Sequence, residues 1–161
     1  MARIVLSLGS NIEPRQKHLQ TALTEIGRWS KSEEMVSRIY STEPVGFRSE
    51  HDFLNMAVSL ETSLSPMELL EKIHKLEANM GRVRTPGKME DRIMDIDILL
   101  YDDLVMNTDK LTIPHPRMHE RSFVLTPLLD IIPDWIHPVF HKAIWELYDE
   151  CRDTGEVCII E

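Results

Sequence analysis

The chain has 161 residues, 42% of them hydrophobic and 28% charged, with a formal charge of -9 at pH 7. That length fits a single domain over residues 1–161 with one real core, and the composition is that of an ordinary globule. The acid excess argues against nucleic acid as a partner, because such binders present a basic face. No run approaches the ~20 apolar residues of a bilayer span, so no membrane association is expected. The run Ile4-Val5-Leu6-Ser7-Leu8-Gly9 is too short for a secretory leader. Cys151 and Cys158 make neither a disulfide framework nor a metal spacing, so the expected compartment is the reducing cytoplasm.

The alternation of Ile4, Leu6 and Leu8 predicts a strand over residues 3–8, broken by Gly9-Ser10-Asn11. Pro14 opens a helix whose Leu19, Ala22, Leu23 and Ile26 recur at helical spacing. A second strand is predicted over 35–41 and a third over 53–61. In the third, Leu54, Met56, Val58 and Leu60 share one face, and Phe53, Asn55, Ala57 and Ser59 share the other. Ser65-Pro66-Met67-Glu68 spells a helix start: a capping Ser, Pro in the first turn, and Glu three residues after the Ser. Leu69, Leu70, Ile73, Leu76 and Met80 continue that helix until Gly81 ends it. A fourth strand over 93–100 alternates Met94, Ile96, Ile98 and Leu100 with Ile93, Asp95, Asp97 and Leu99. A hairpin turning near Asn107 to Lys110 follows. The tail holds a helix with Ile144, Leu147, Tyr148 and Cys151 in step, and no functional pattern. The order β-α-β-β-α-β with added elements predicts an α+β, ferredoxin-like sandwich of helices on an antiparallel sheet. The connections 42–52 and 82–92 lack regular patterning and have the length of functional loops.

Met94-Asp95-Ile96-Asp97-Ile98 carries the most chemistry. Residues i and i+2 of a strand project to one face, so Asp95 and Asp97 stand side by side. Their repulsion calls for a cation or a shared proton, and carboxylates at this spacing suit Mg²⁺, which also takes water and substrate phosphates. A solvated acidic edge strand is the plainer reading of the pair alone. The surrounding cations Arg82, Arg84, Lys88, Arg92, Lys110, Arg117 and Arg121 favour a site for polyphosphate and metal. The glycines do not form a P-loop: Gly81 to Gly87-Lys88-Met89 has the wrong spacing and lacks the Ser or Thr after Lys. His115 and His119 stand four apart, as zinc ligands on a helix can, but no further ligand is evident; a hydrogen bond from His115 to phosphate is the stronger reading. Phe53, Asn55 and Phe123 read either as core or as plates and an amide for a flat heterocycle.

Taken in order, these residues resemble the 6-hydroxymethyl-7,8-dihydropterin pyrophosphokinase family. The resemblance runs from Leu6-Ser7-Leu8-Gly9-Ser10-Asn11 through Thr42-Glu43-Pro44-Val45-Gly46, Phe53-Leu54-Asn55, Glu77, Gly81-Arg82-Val83-Arg84 and Arg92 with Asp95-x-Asp97. It continues with Leu111-Thr112-Ile113-Pro114-His115-Pro116-Arg117 and ends with Arg121-Ser122-Phe123-Val124-Leu125-x-Pro127-Leu128. It implies a ferredoxin-like fold and transfer of diphosphate from ATP to the hydroxymethyl group of the dihydropterin, releasing AMP on the way to folate. It further implies two Mg²⁺ ions on Asp95 and Asp97, with Arg82 and Arg92 gripping phosphates. ATP contacts fall by resemblance on His74, Glu77, Arg84, Ile98, Lys110, Thr112, His115 and Arg121. For the pterin they fall on Thr42, Pro44, Val45, Phe53, Asn55 and Phe123. The expected protein is a monomer with ATP and the pterin as its partners. One stretch departs from the family pattern: an aromatic residue followed by Gly-Pro is replaced by Met89, Glu90 and Asp91. Two rival functions are nucleotidyl transfer, which also pairs Gly-Ser with Asp-x-Asp but at closer spacing, and a non-catalytic ligand-binding module.

Overall fold

The computed structural model describes residues 1–43, 52–81 and 92–160. The main sheet has six strands: β1 (Ala2–Ser10), β2 (Met35–Val36), β3 (Tyr40–Thr42), β4 (Phe53–Thr62), β5 (Asp95–Tyr101) and β8 (Val157–Ile159). Every pairing within it is antiparallel, in the order β5-β1-β4-β3-β8, with β2 also on β4. With β2 and β3 counted as one split strand, the first four run fourth-first-third-second, the ferredoxin-like arrangement expected from the element order. β6 (Met106–Asn107) and β7 (Thr112–Ile113) form the separate hairpin, turning through residues 108–111.

Helices cover both faces. α1 (Arg15–Gly27) and α2 (Pro66–Asn79) bury Leu19, Ala22, Ile26, Leu69, Ile73 and Leu76 against Ile4, Leu6 and Leu8 of β1, Leu54, Met56, Val58 and Leu60 of β4, and Ile96 and Ile98 of β5. α2 starts as its sequence dictates, with the Ser65 hydroxyl accepting from Glu68 N and the Glu68 carboxylate accepting from Ser65 N. On the other face α3 (Ser122–Ile131) and α4 (Ile144–Glu150) close a second core over Val5, Ala57, Leu99 and Leu100. No described helix is long and apolar enough to cross a membrane.

Several details differ from the sequence reading: β1 runs on through Gly9 and Ser10, which are expected to break it, and α3 stands where no helix pattern is read. The strand expected over 35–41 is split, because the Ser37 hydroxyl accepts the Ala57 N–H at 2.8 Å and donates to Arg38 O. That side chain takes a main-chain place in the ladder, and the register on β4 shifts by one between Val36↔Val58 and Tyr40↔Asn55. Leu100, expected on the face of Met94, Ile96 and Ile98, lies in the opposite core. A bulge explains it: Val5 pairs with Leu100 but Leu6 with Ile98, leaving Leu99 as an extra residue on β5. Finally β8, absent from the reading of the tail, pairs with β3.

Leu6 is fully buried between the sheet and the helices. Leu6→Ala should lower the unfolding free energy by about 3 kcal/mol in urea titration. A loss under about 1 kcal/mol would contradict a tightly packed first core.

Candidate active site

β1 is the central rail of the site. Gly9 pairs with Asp95 on one side and with Asn55 on the other, while Ser7 pairs with Asp97 and Ala57. Directly paired residues of a ladder project to one face, so Asp95, Gly9 and Asn55 form one row, and Asp97, Ser7 and Ala57 form the next. Both aspartates are half-buried. Gly9 has a packing reason to be glycine: a Cβ there would lie 3.0 Å from Asn55 Oδ1 and 3.6 Å from a ring carbon of Phe53. The missing side chain lets the amide and the aromatic ring lean over β1 toward the aspartates. Asn55, 4% exposed, donates through Nδ2 to Thr42 Oγ1 at 2.7 Å. Thr42, Phe53 and Asn55, three expected pterin residues, are thereby joined through two neighbouring strands.

Arg92 is held twice. Its main chain is clasped by buried Asn11, whose Oδ1 accepts Arg92 N at 2.6 Å and whose N donates to Arg92 O at 3.0 Å. Its guanidinium donates to Asp95 Oδ2 at 2.8 Å. A half-buried charge-assisted bond of this kind fixes the cation beside the carboxylate row. Asn11 was singled out by the sequence only as part of a strand-ending block, and the clasp it makes bridges too long a separation for pattern to reveal.

The edge of β5 is closed by a carboxylate. Glu77 of α2 is 1% exposed, and its Oε2 accepts the Ile96 N–H at 2.9 Å. His74, one turn earlier, is exposed. The Ile98 side chain is buried in the first core, so toward the site only its main chain is offered. Thr112 is half-buried in β7, and Lys110 is exposed in the turn before it.

His115 follows β7. Its N–H donates to Leu99 O, and its Nδ1 accepts Arg117 N–H at 3.1 Å. Burial, reinforced by Arg121 and Arg117, pushes its pKa down to about 4 against an opposing pull from Asp95. The ring is therefore neutral at pH 7. With Nδ1 accepting, Nε2 carries the proton and is a donor. Arg121 stands at the N-terminal boundary of α3 with its guanidinium carbon 5.7 Å from the Phe123 ring centre. Phe123 itself is half-buried against the second core, on the sheet face that carries Phe53 and Asn55.

His119 does not join His115 in a zinc site. Its ring lies edge-on to Phe140 at 4.6 Å, and among the described residues no three His, Cys, Asp or Glu converge on a metal position. Pro44, Val45, Arg82 and Arg84, with Lys88, Met89, Glu90 and Asp91, lie outside the described residues.

The depressed imidazoles have a pH signature. His137, 2% exposed, is also held down to about 4 by burial, with His119 and His141 adding to the effect. A histidine whose folded pKa lies below its unfolded value of about 6.5 stabilises the fold above that value. The contribution is lost as pH falls toward the folded pKa. Imidazole NMR titration should find His115 and His137 still neutral at pH 5.5, and midpoints near 6.5 would contradict the burial. Gly9→Ala should weaken binding of a flat heterocycle at least about fivefold in fluorescence titration, because Asn55 and Phe53 must give way. Unchanged binding would show that the close approach has no consequence.

Residues 5–133 match the family described as 7,8-dihydro-6-hydroxymethylpterin-pyrophosphokinase, HPPK. The 2-amino-4-hydroxy-6-hydroxymethyldihydropteridine pyrophosphokinase of Aquifex aeolicus is 38% identical over 161 residues, covering 100% of this chain and 99% of that one. Its Bacillus subtilis namesake is 43% identical over 127 residues, 78% of this chain and 75% of the other. The folic acid synthesis protein fol1 of Schizosaccharomyces pombe is 40% identical over 151 residues, 93% of this chain, which spans only 20% of that longer protein. Among solved structures, an HPPK-DHPS in complex with substrates aligns with a TM-score of 0.74 at 17% identity, over 92% of this chain and 43% of that one. A wild-type Plasmodium falciparum HPPK-DHPS with pterin and p-hydroxybenzoate gives 0.73 at 20% identity, over 92% and 43%. The fold is thus shared with domains that make up less than half of those chains, and the sequence match places this chain in the 6-hydroxymethyl-7,8-dihydropterin pyrophosphokinase family.

Proposed function

We propose that the chain transfers a diphosphate group from ATP to the hydroxymethyl oxygen of 6-hydroxymethyl-7,8-dihydropterin, releasing AMP, as a step of folate synthesis. The observation that carries this reading is the row Asp95–Gly9–Asn55, with Asp97 in the next row and Arg92 fastened to Asp95. It brings a carboxylate pair, a phosphate-type cation and a heterocycle-type amide together across three strands.

Two carboxylates, with no third His, Cys, Asp or Glu grouped on them among the described residues, fit Mg²⁺, which favours oxygen ligands and takes water and substrate phosphates besides. Asp95 and Asp97 would hold two such ions, which would neutralise polyphosphate charge and acidify the hydroxyl. The remaining work falls to side chains. Phe53 and Phe123 hold the pterin ring between them, and Asn55, Thr42 and the segment with Pro44 and Val45 read its edge. Arg92 and Arg82 take phosphate oxygens, helped by Arg84, Arg121 and the Nε2–H of neutral His115. Lys110, Thr112, His74, Glu77 and the main chain of Ile98 receive the rest of the nucleotide.

In the reaction the hydroxymethyl oxygen forms a bond to the β-phosphorus while the bond from that phosphorus to the α,β-bridging oxygen breaks. The electron pair leaves with AMP, and the hydroxyl proton passes to water. No described side chain stands out as a general base, so positioning and electrostatics supply most of the acceleration.

Chromatography of nucleotides after mixing protein, Mg-ATP and the pterin should show AMP rising with the pterin diphosphate. Release of inorganic diphosphate instead would establish nucleotidyl transfer. Asp97→Ala should cut turnover by at least about a hundredfold with the far-UV spectrum unchanged. Normal turnover would refute the assigned metal position. Arg92→Ala should lower kcat more than it weakens ATP binding, and equal losses would make Arg92 a plain anchor.

A further inference from the structure

The first turn of α3 carries Arg121 and Phe123, the proposed phosphate and pterin contacts, and the chain around it provides no cap of its own. Arg121 occupies the N-cap position without a side-chain capping bond, and the first turn has no acidic residue. Four N–H groups at such an end need acceptors, and the helix dipole favours a negative charge there.

The missing acceptor comes from the tail. Asp153, beyond α4, accepts the Ser122 N–H at 3.0 Å and the Ser122 hydroxyl at 3.2 Å through Oδ2. Its Oδ1 accepts the Gly155 N–H at 2.9 Å. Gly155 fits this close turn, since a Cβ there would stand 3.1 Å from Oδ1. Two residues on, Val157 pairs with Thr42 in the ladder of β8 and β3. Asp153 thus links the turn that bears Phe123 to the strand that bears Thr42. These bonds outweigh the upward push of burial and keep its pKa below the usual carboxylate range, so the charge is present throughout the neutral range.

We propose that Asp153 is a positioning residue for the proposed pterin site, acting through Ser122 to hold Phe123 and Arg121 in register with Thr42 and Asn55. It touches neither substrate nor phosphate. The inference rests on the pterin reading of Phe123 given above. It gives the segment that follows α4 a role in the active site, where the sequence reading finds no functional pattern.

Asp130 provides the internal control. At the far end of the same helix its carboxylate accepts from Arg38 N, Arg38 Nη2 at 2.9 Å and Tyr40 OH at 2.8 Å. Loss of that carboxylate removes a tie between α3 and the sheet while leaving the bonds of Asp153 to Ser122 in place.

The experiment measures KM for the pterin, KM for ATP, kcat and Tm for Asp153→Ala, Asp153→Asn and Asp130→Ala. It adds hydrogen exchange at the Ser122 amide. Asp153→Ala should raise the pterin KM about fivefold or more and speed exchange at Ser122. Asp153→Asn, which keeps an acceptor oxygen, should recover part of the loss. Asp130→Ala should lower Tm comparably but shift the pterin KM less than twofold. Equal KM shifts in the Asp153 and Asp130 variants would reduce Asp153 to a general stabiliser and overturn the inference, as would an unchanged pterin KM with wild-type turnover intact. Wild-type protein that does not use the pterin would overturn the reaction reading and this inference together.

Discussion

The pairing of β1 with β5 on one side and β4 on the other is the constraint from which the rest follows. A ladder allows no half-steps: a slip of one residue would send Asp95 and Asn55 to the face covered by α1 and α2 and bring Ile96 and Leu54 up in their place. The first core resists that slip, because Ile4, Leu6 and Leu8 already fill the space under α1 and α2. Burial of apolar residues on one face thereby sets the placement of polar ones on the other. The site inherits its precision from a core that contains none of its side chains.

The charge arrangement follows the same economy. In a chain of net charge -9 the cations beside the carboxylate row are attached individually. Arg92 is fastened through its main chain by Asn11 and through its guanidinium by Asp95. Arg121 rides on a helix end, and burial keeps His115 neutral, so that its Nε2–H is a donor that adds no charge. Arg92 and Asp95 compensate each other, which avoids leaving either as a lone charge in a half-buried place.

Local chemistry was the legible part of the sequence. The capping box at Ser65, the alternation of β1 and β4, the hairpin and the shared face of Asp95 and Asp97 were all readable, because each depends on residues a few positions apart. The ordered blocks from Leu6 to Leu128 also carried the family. What the sequence concealed depends on distant partners. Nothing near Ser37 says that its hydroxyl will take a place in the ladder opposite Ala57. The run Glu156-Val157-Cys158-Ile159-Ile160 has strand composition, but its partner β3 lies more than a hundred residues upstream. Asn11 and Asp153 escaped for the same reason, since each caps main chain remote from itself.

The bulge at Leu99 leaves a mark on how this protein tolerates change. Ahead of it, even-numbered residues of β5 face α1 and α2; beyond it, Leu100 faces α3 and Tyr101 turns back toward the first core. Parity switches within one strand, so the extra residue works as a phase adjuster between two otherwise incompatible packings. Removing a single codon there would invert one end of the strand while conserving nearly all of its composition. Insertions and deletions at this point are therefore under tighter restraint than exchanges among its aliphatic side chains, and relatives with very different residues here should still keep the same strand length.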